Sequence, residues 1–142
     1  MSNEQTNVKG KALDAAVKEA GRVDLAPEQA ADLYSRIAVM SYWLAQEVAE
    51  AYRTFSNAEG NRKAHMAQHV ITMQATGSSN AKAQATVEGS YAYQELRLIE
   101  INAEVEHVRW KLTMQGVQNV LASLQMRIAL FRDEAKSSKS LT

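Results

Sequence analysis

The stretch RKAHMAQHV, residues 62–70, carries two cations, Arg62 and Lys63, and two histidines, His65 and His69. On a helix the histidines, four apart, share one face. Such a pair could ligate zinc, or join Arg62 and Lys63 in contacting the phosphates of a nucleic acid. The zinc chemistry is incompletely furnished. HMAQH lacks the glutamate that the metalloprotease pattern H-E-x-x-H uses as general base. Two histidines alone leave a structural zinc half-coordinated. A solvated helix surface is the weightier alternative to metal. A second unit, Glu104-x-x-His107, has the spacing found in carboxylate di-iron bundles, but that architecture needs a second Glu-x-x-His and two further inward Glu residues. The sequence contains no other Glu-x-x-His. It also has no Gly-rich phosphate loop, and its serines have no convincing His and Asp partners. These residues point to no enzyme and to no cofactor.

Composition sets the frame for those residues. A chain of 142 residues is the size of one domain, and 46% hydrophobic content suffices for a modest core. Pro occurs once and Gly six times, while Ala, Leu, Gln and Glu outnumber Val and Ile, so the composition reads all-α. The absence of cysteine excludes a disulfide framework and a thiolate metal site, and suits a reducing cytoplasm. No apolar run approaches the roughly 18 residues of a membrane span. The polar start MSNEQTNVKGKALD lacks the apolar core of a signal peptide. Sixteen basic and sixteen acidic residues balance to zero, so nucleic-acid binding would need charge concentrated locally or supplied by several subunits.

The elements that must position these residues follow from periodicity. Residues 1–25 form a polar segment with a short helix, KALDAAVKEAG, ended by Gly21. Pro27 and Glu28 suit the first turn of a second helix. Its apolar stripe is Leu33, Ile37, Met40, Leu44, Val48, Ala51 and Phe55. SNAEGN, residues 56–61, is expected to interrupt it, because Asn and Gly are poor helix formers. Residues 62–74 resume with Met66, Val70 and Met73 on one face. Residues 75–90 hold no large apolar residue but Val87 and read as a flexible loop, with Ser90 as the next N-cap. The last helix, 91–136, shows two heptad seams. The first is Leu98, Ile101, Val105, Val108 and Leu112. The second is Trp110, Met114, Val117, Leu121, Leu124, Ile128 and Phe131, two residues out of phase. The stripe is therefore expected to shift around the helix near a buried Trp110.

A helix of that span is roughly 65–70 Å long, more than one small globule covers. The expected fold is all-α: a long antiparallel helical hairpin over 26–136 with coiled-coil-like seams, assembling into a homo-oligomer, and a flexible tail at 137–142. Trp110, Val117, Leu121, Leu124 and Ile128 are the expected core or interface. A monomeric bundle with a kink at Gly116 is the alternative.

The cations of the last helix, Arg97, Arg109 and Lys111, are interleaved with Glu95, Glu100, Glu104 and Glu106, as on a solvated face. Arg62, Lys63 and Lys82 differ. Only Glu59 and Glu88 lie within residues 59–89, making this the one locally basic region.

Two stretches resemble the UvsY family, the recombination mediators of tailed bacteriophages. They are LYSRIAVMSYWLAQE, residues 33–47, and VRWKLTMQGVQNVLASLQMRIALFRDE, residues 108–134. The first matches a Leu-Tyr-Ser near the start of the family's first long helix. In the second, Trp110, Leu121 and Arg127 fall in register without a gap. A basic helix and a Gly-containing polar loop lie between, so the resemblance covers roughly residues 30–135.

It implies a homo-oligomer, with a ring as the expected form, that binds single-stranded DNA. Such a protein helps load a RecA-like recombinase onto DNA coated by a single-strand-binding protein. It implies DNA contacts by Arg62 and Lys63; from the local charge, Lys82 is expected to assist, and His65 and His69 to join where they face the same strand. The family's segment is richer in Lys and Arg; here the two histidines stand in, and protonation at lower pH would strengthen them. A ring would reconcile the neutral net charge with DNA binding, because many small patches add up. Outside the resemblance, long heptad helices and neutral charge also suit a phage scaffold or chaperone, or a small inhibitor of a host protein. In each case the expected place of action is the cytoplasm, that of the host cell if the chain is phage-encoded.

Overall fold

The computed structural model describes residues 2–141, and among these there are four helices and no strand. Helix α1 is Asn3–Ala20, α2 is Pro27–Ala75, α3 is Asn80–Glu88 and α4 is Tyr91–Ser140. Each end has a local cause. The Ser2 hydroxyl accepts the Gln5 N–H at 3.4 Å and opens α1. Before α2, the Gln29 side chain accepts the Ala26 N–H at 2.9 Å, and Pro27 takes the first helical position, where no amide is needed. At the other end of α2, Ser78 donates to the Met73 carbonyl and Gly77 to that of Gln74. This is a Schellman closure, and it requires the left-handed backbone of Gly77, φ 96°. The Ser79 hydroxyl accepts the Lys82 N–H to start α3. The Ser90 hydroxyl accepts the Tyr93 N–H to start α4, as the sequence predicts.

Three stretches differ from the sequence reading. SNAEGN does not interrupt α2. Its inward residue, Ala58, is buried, while Asn57, Gly60 and Asn61 face out, so packing offsets a propensity cost of about 1 kcal/mol for the glycine. Residues 75–90 are not a loop throughout: α3 occupies most of them. Ala83 and Val87 are its buried face, packed with Val70 and the half-buried Met66, Met73 and Tyr93. Ala83 is fully buried; small residues bring helix backbones close, and a search for large apolar residues overlooks them. Finally, α4 runs to Ser140, through the expected tail.

The chain divides into two compact units, and α2 and α4 each contribute to both. One unit holds the chain up to Gln46 together with Leu112 onward. Its core is Leu13, Ala16 and Ala20 from α1, Leu25, Leu33, Ile37, Trp43 and Leu44, and Val117 and Leu124 from α4. The N-terminal segment is thus part of a three-helix core. Arg127 on α4 fastens the end of α1, donating to the carbonyls of Ala20 at 3.0 Å and Arg22 at 2.7 Å. That satisfies acceptors which a helix end leaves open.

The other unit is Glu47–Lys111. Here α2 and α4 run antiparallel: Tyr52 and Phe55 meet His107, and Arg62 meets Glu100 and Tyr93.

The burial of α4 corrects the expected seam shift. Its covered face is Tyr93, Leu96, Glu100, Ala103, His107 and Trp110, followed by Met114, Val117, Leu121, Leu124, Ile128 and Phe131. These alternate by three and four residues without a change of phase. The aliphatic stripe Leu98, Ile101, Val105, Val108 and Leu112 lies outside, between 40% and 62% exposed. Trp110 is half-buried, not enclosed.

Candidate nucleic-acid interface

Within the unit Glu47–Lys111, the small core of Val70, Ala83 and Val87 sets the relation of α3 to the C-terminal part of α2. The inward face of α2 therefore contains Arg62, Met66, Val70 and Met73, and the remaining polar residues point away.

Arg62 is the residue whose environment departs furthest from the sequence reading. Its guanidinium is directed at Glu100, with Nε bonded to one carboxylate oxygen and Nη2 3.3 Å from the other. Nη1 lies 3.4 Å from the Tyr93 hydroxyl. Arg97 adds a second cation at 3.0 Å from Glu100. The Glu100 side chain is only 5% exposed and that of Arg62 18%. The bonds from Arg62 hold the Glu100 carboxyl below the usual carboxylate range; burial opposes them, and Arg97 adds to their effect. The Arg62 guanidinium is in turn held more firmly charged by Glu100. Arg62 is thus engaged in a bidentate buried pair that locks α2 against α4.

Lys63 is exposed and pairs with Glu59 at 2.6 Å, one turn back. The His65 and His69 rings lie 4.2 Å apart, with His65 half-buried and His69 exposed. At 3.6 residues per turn, Lys63 and His65 sit about 160° apart around the axis, so one strand cannot lie along both. Lys82 is exposed on the first turns of α3 rather than in a loop. The sequence-predicted residues therefore form a histidine pair and two exposed lysines, with Arg62 half-buried against α4.

His107, of the Glu-x-x-His unit, packs its ring against Tyr52 at 5.2 Å and Phe55 at 6.2 Å, and Glu104 is exposed. Among the described residues no three of His, Cys, Asp or Glu come together as a metal-holding group. Trp110 lines a shallow groove of about 480 Å³ with Glu47, Glu50 and Glu106, a carboxylate-rich lining that disfavours phosphate. Of the other expected interface residues, Val117 and Leu124 are buried and Leu121 and Ile128 half-buried, all on the covered face of α4.

Glu100, expected on a solvated face, is instead buried against Arg62, and Tyr93 is the residue missed at the sequence level. The signal was present: counting back from Trp110 by threes and fours passes through His107, Ala103, Glu100, Leu96 and Tyr93. That row mixes polar with apolar residues, whereas Leu98, Ile101, Val105 and Val108 are aliphatic throughout.

The fold and site define an all-helical protein of two packed units, with a buried ion pair in one and exposed cations beside it. Among the described residues no helix is long and apolar enough to cross a membrane. No protein-family model, curated protein or solved structure matches the chain.

Proposed function

We propose that this chain is a homo-oligomeric recombination mediator of a tailed phage, acting in the host cytoplasm. In this reading it binds single-stranded DNA and helps load a RecA-like recombinase onto DNA held by a single-strand-binding protein. The observation that carries the reading is that Lys63 and His69 on α2 and Lys82 on α3 are each exposed, in the segment that lies in sequence between the two UvsY-like stretches. The antiparallel course of α2 and α4 within Glu47–Lys111, read as part of a hairpin with coiled-coil-like seams, agrees with it.

Arg62 then serves the site by position: fastened to Glu100, it fixes the rotation of α2 and so decides which way Lys63 and His69 point. Each chain offers few phosphate contacts, so affinity comes from several subunits engaging one strand, a ring being the natural arrangement. Phosphate contacts carry little sequence information, and binding is expected to be nearly sequence-independent.

Fluorescence anisotropy with a labelled oligonucleotide tests this. Each phosphate contact contributes about −0.7 to the slope of log K against log salt for a single strand. Lys63→Ala combined with Lys82→Ala should flatten that slope while leaving helicity and particle size unchanged. Absence of binding at low salt sinks the mediator reading.

A second reading, a phage scaffold or assembly chaperone, is favoured by the aliphatic stripe exposed on α4 and by the engagement of Arg62 away from solvent. It predicts a large particle with no affinity for DNA.

A further inference from the structure

The face that α4 turns inward and the face it turns out are inverted in character. Inward, over one stretch, lie Tyr93, Leu96, Glu100, Ala103 and His107, including a carboxylate and an imidazole. Outward lie Leu98, Ile101, Val105 and Val108, an unbroken aliphatic heptad stripe that is 58%, 40%, 59% and 46% exposed. Helices ordinarily bury the more apolar face. A three-four spacing of aliphatic residues is the pattern that packs against another helix. A membrane surface is a poor occupant, because interfacial helices carry Lys and Arg beside the apolar face, whereas Glu95, Glu104 and Glu106 interleave with the cations here.

We infer that the stripe pairs antiparallel with the same stripe of a second copy of this chain, Val105 meeting Val108 of the other copy and the reverse. Charge decides the occupant and the antiparallel register, and residue type decides the direction. The residues flanking the stripe on one side are Arg97, Glu104 and Lys111. In this register Glu104 lies opposite Lys111 of the second copy, and two-fold symmetry repeats the pair. On the other flank Asn102 lies opposite Arg109, without like-charge conflict. The alternative antiparallel register, which would centre Glu104 on its own copy, sets Glu104 against Glu104 and Arg97 against Lys111, and is repelled. A parallel pair would put Leu98 and Ile101 at positions where the reverse order suits two strands, which disfavours a parallel dimer.

This inference rests on the self-association in the reading above and is independent of DNA binding; a two-fold pair closes at two copies, so a ring would be built from such pairs through a further contact surface. Sedimentation velocity on the full chain across a concentration series tests it. Val105→Lys should weaken association roughly 100-fold or more, by burying an unpaired charge. Its helicity should be unchanged, because Val105 is exposed within one chain. Glu104→Lys and Lys111→Glu should each weaken association, and the double variant should restore it. An oligomer indifferent to Val105→Lys would overturn the stripe as the interface and leave self-association standing. Rescue of Glu104→Arg by Arg109→Glu instead would overturn the antiparallel register in favour of a parallel one. A wild-type monomer at high concentration would overturn self-association itself. Association of the stripe only with an added recombinase would overturn the second copy as its occupant.

Discussion

Glu100→Ala is expected to destabilise the chain by about 3–5 kcal/mol, the range for removing one partner of a buried ion pair. The loss comes from what remains. Arg62, with its side chain 18% exposed, would keep its charge among Met66, Tyr93 and the packed helices without a carboxylate to answer it. Replacing both partners by apolar residues, Arg62→Met with Glu100→Leu, should be near neutral or stabilising, because the desolvation cost disappears with the charges. Urea denaturation of wild type and the two variants distinguishes the outcomes. If Glu100→Ala unfolds at the wild-type midpoint, the pair is not held as described.

The same pair gives a pH dependence of definite sign. The folded chain holds the Glu100 carboxyl below its ordinary value, chiefly through Arg62. As pH falls, the unfolded chain takes up the proton first, at about 4.5. The contribution of the pair is therefore complete above that value and drains away as pH falls through the lower folded-state value. Melting temperatures across pH 3 to 6, roughly the span over which carboxylates titrate, should decline on the acid side more steeply in wild type than in the Arg62→Met, Glu100→Leu variant. Parallel curves would refute the assignment.

The second large effect concerns the unit containing α1. Leu124 is 1% exposed and is among the largest fully buried side chains, with Leu33, Ile37 and Leu44. Leu124→Ala should cost about 2–5 kcal/mol, the transfer term plus the cavity left among neighbours that relax only partly. Leu130, six residues along the same helix, is 60% exposed, and Leu130→Ala should fall within about 0.5 kcal/mol of wild type. Chemical denaturation of the two variants is a direct comparison at constant chemistry. Equal losses would mean that the rotation of α4 is misplaced in that unit.

Much of the architecture was legible before any coordinates. The helical composition, Pro27 at the start of α2, Ser90 as the cap of α4, and the buried positions Leu33, Ile37, Leu44, Val117 and Leu124 all follow from propensity and spacing. These signals are local: a cap needs one side chain and one amide, and a strong stripe repeats every three or four residues. SNAEGN and residues 80–88 were misread for a matching reason. Propensity penalises Gly and Asn and is silent about Ala, whereas Ala58 and Ala83 are buried because neighbouring helices come close enough to cover a methyl group.

For the candidate site, the sequence by itself determined which cations and histidines lie in the one basic region, and that α4 carries two apolar seams two residues out of phase. It could not decide which face the first half of α4 turns inward, since periodicity records spacing and not direction. Only the tertiary structure decided that Glu100 points inward and Leu98 outward. The reason is complementarity with α2: Arg62 supplies the charge that makes a buried Glu100 tolerable, and Tyr52 and Phe55 supply the rings that receive His107. A choice of that kind depends on a residue 38 positions away, beyond what any local pattern in α4 encodes.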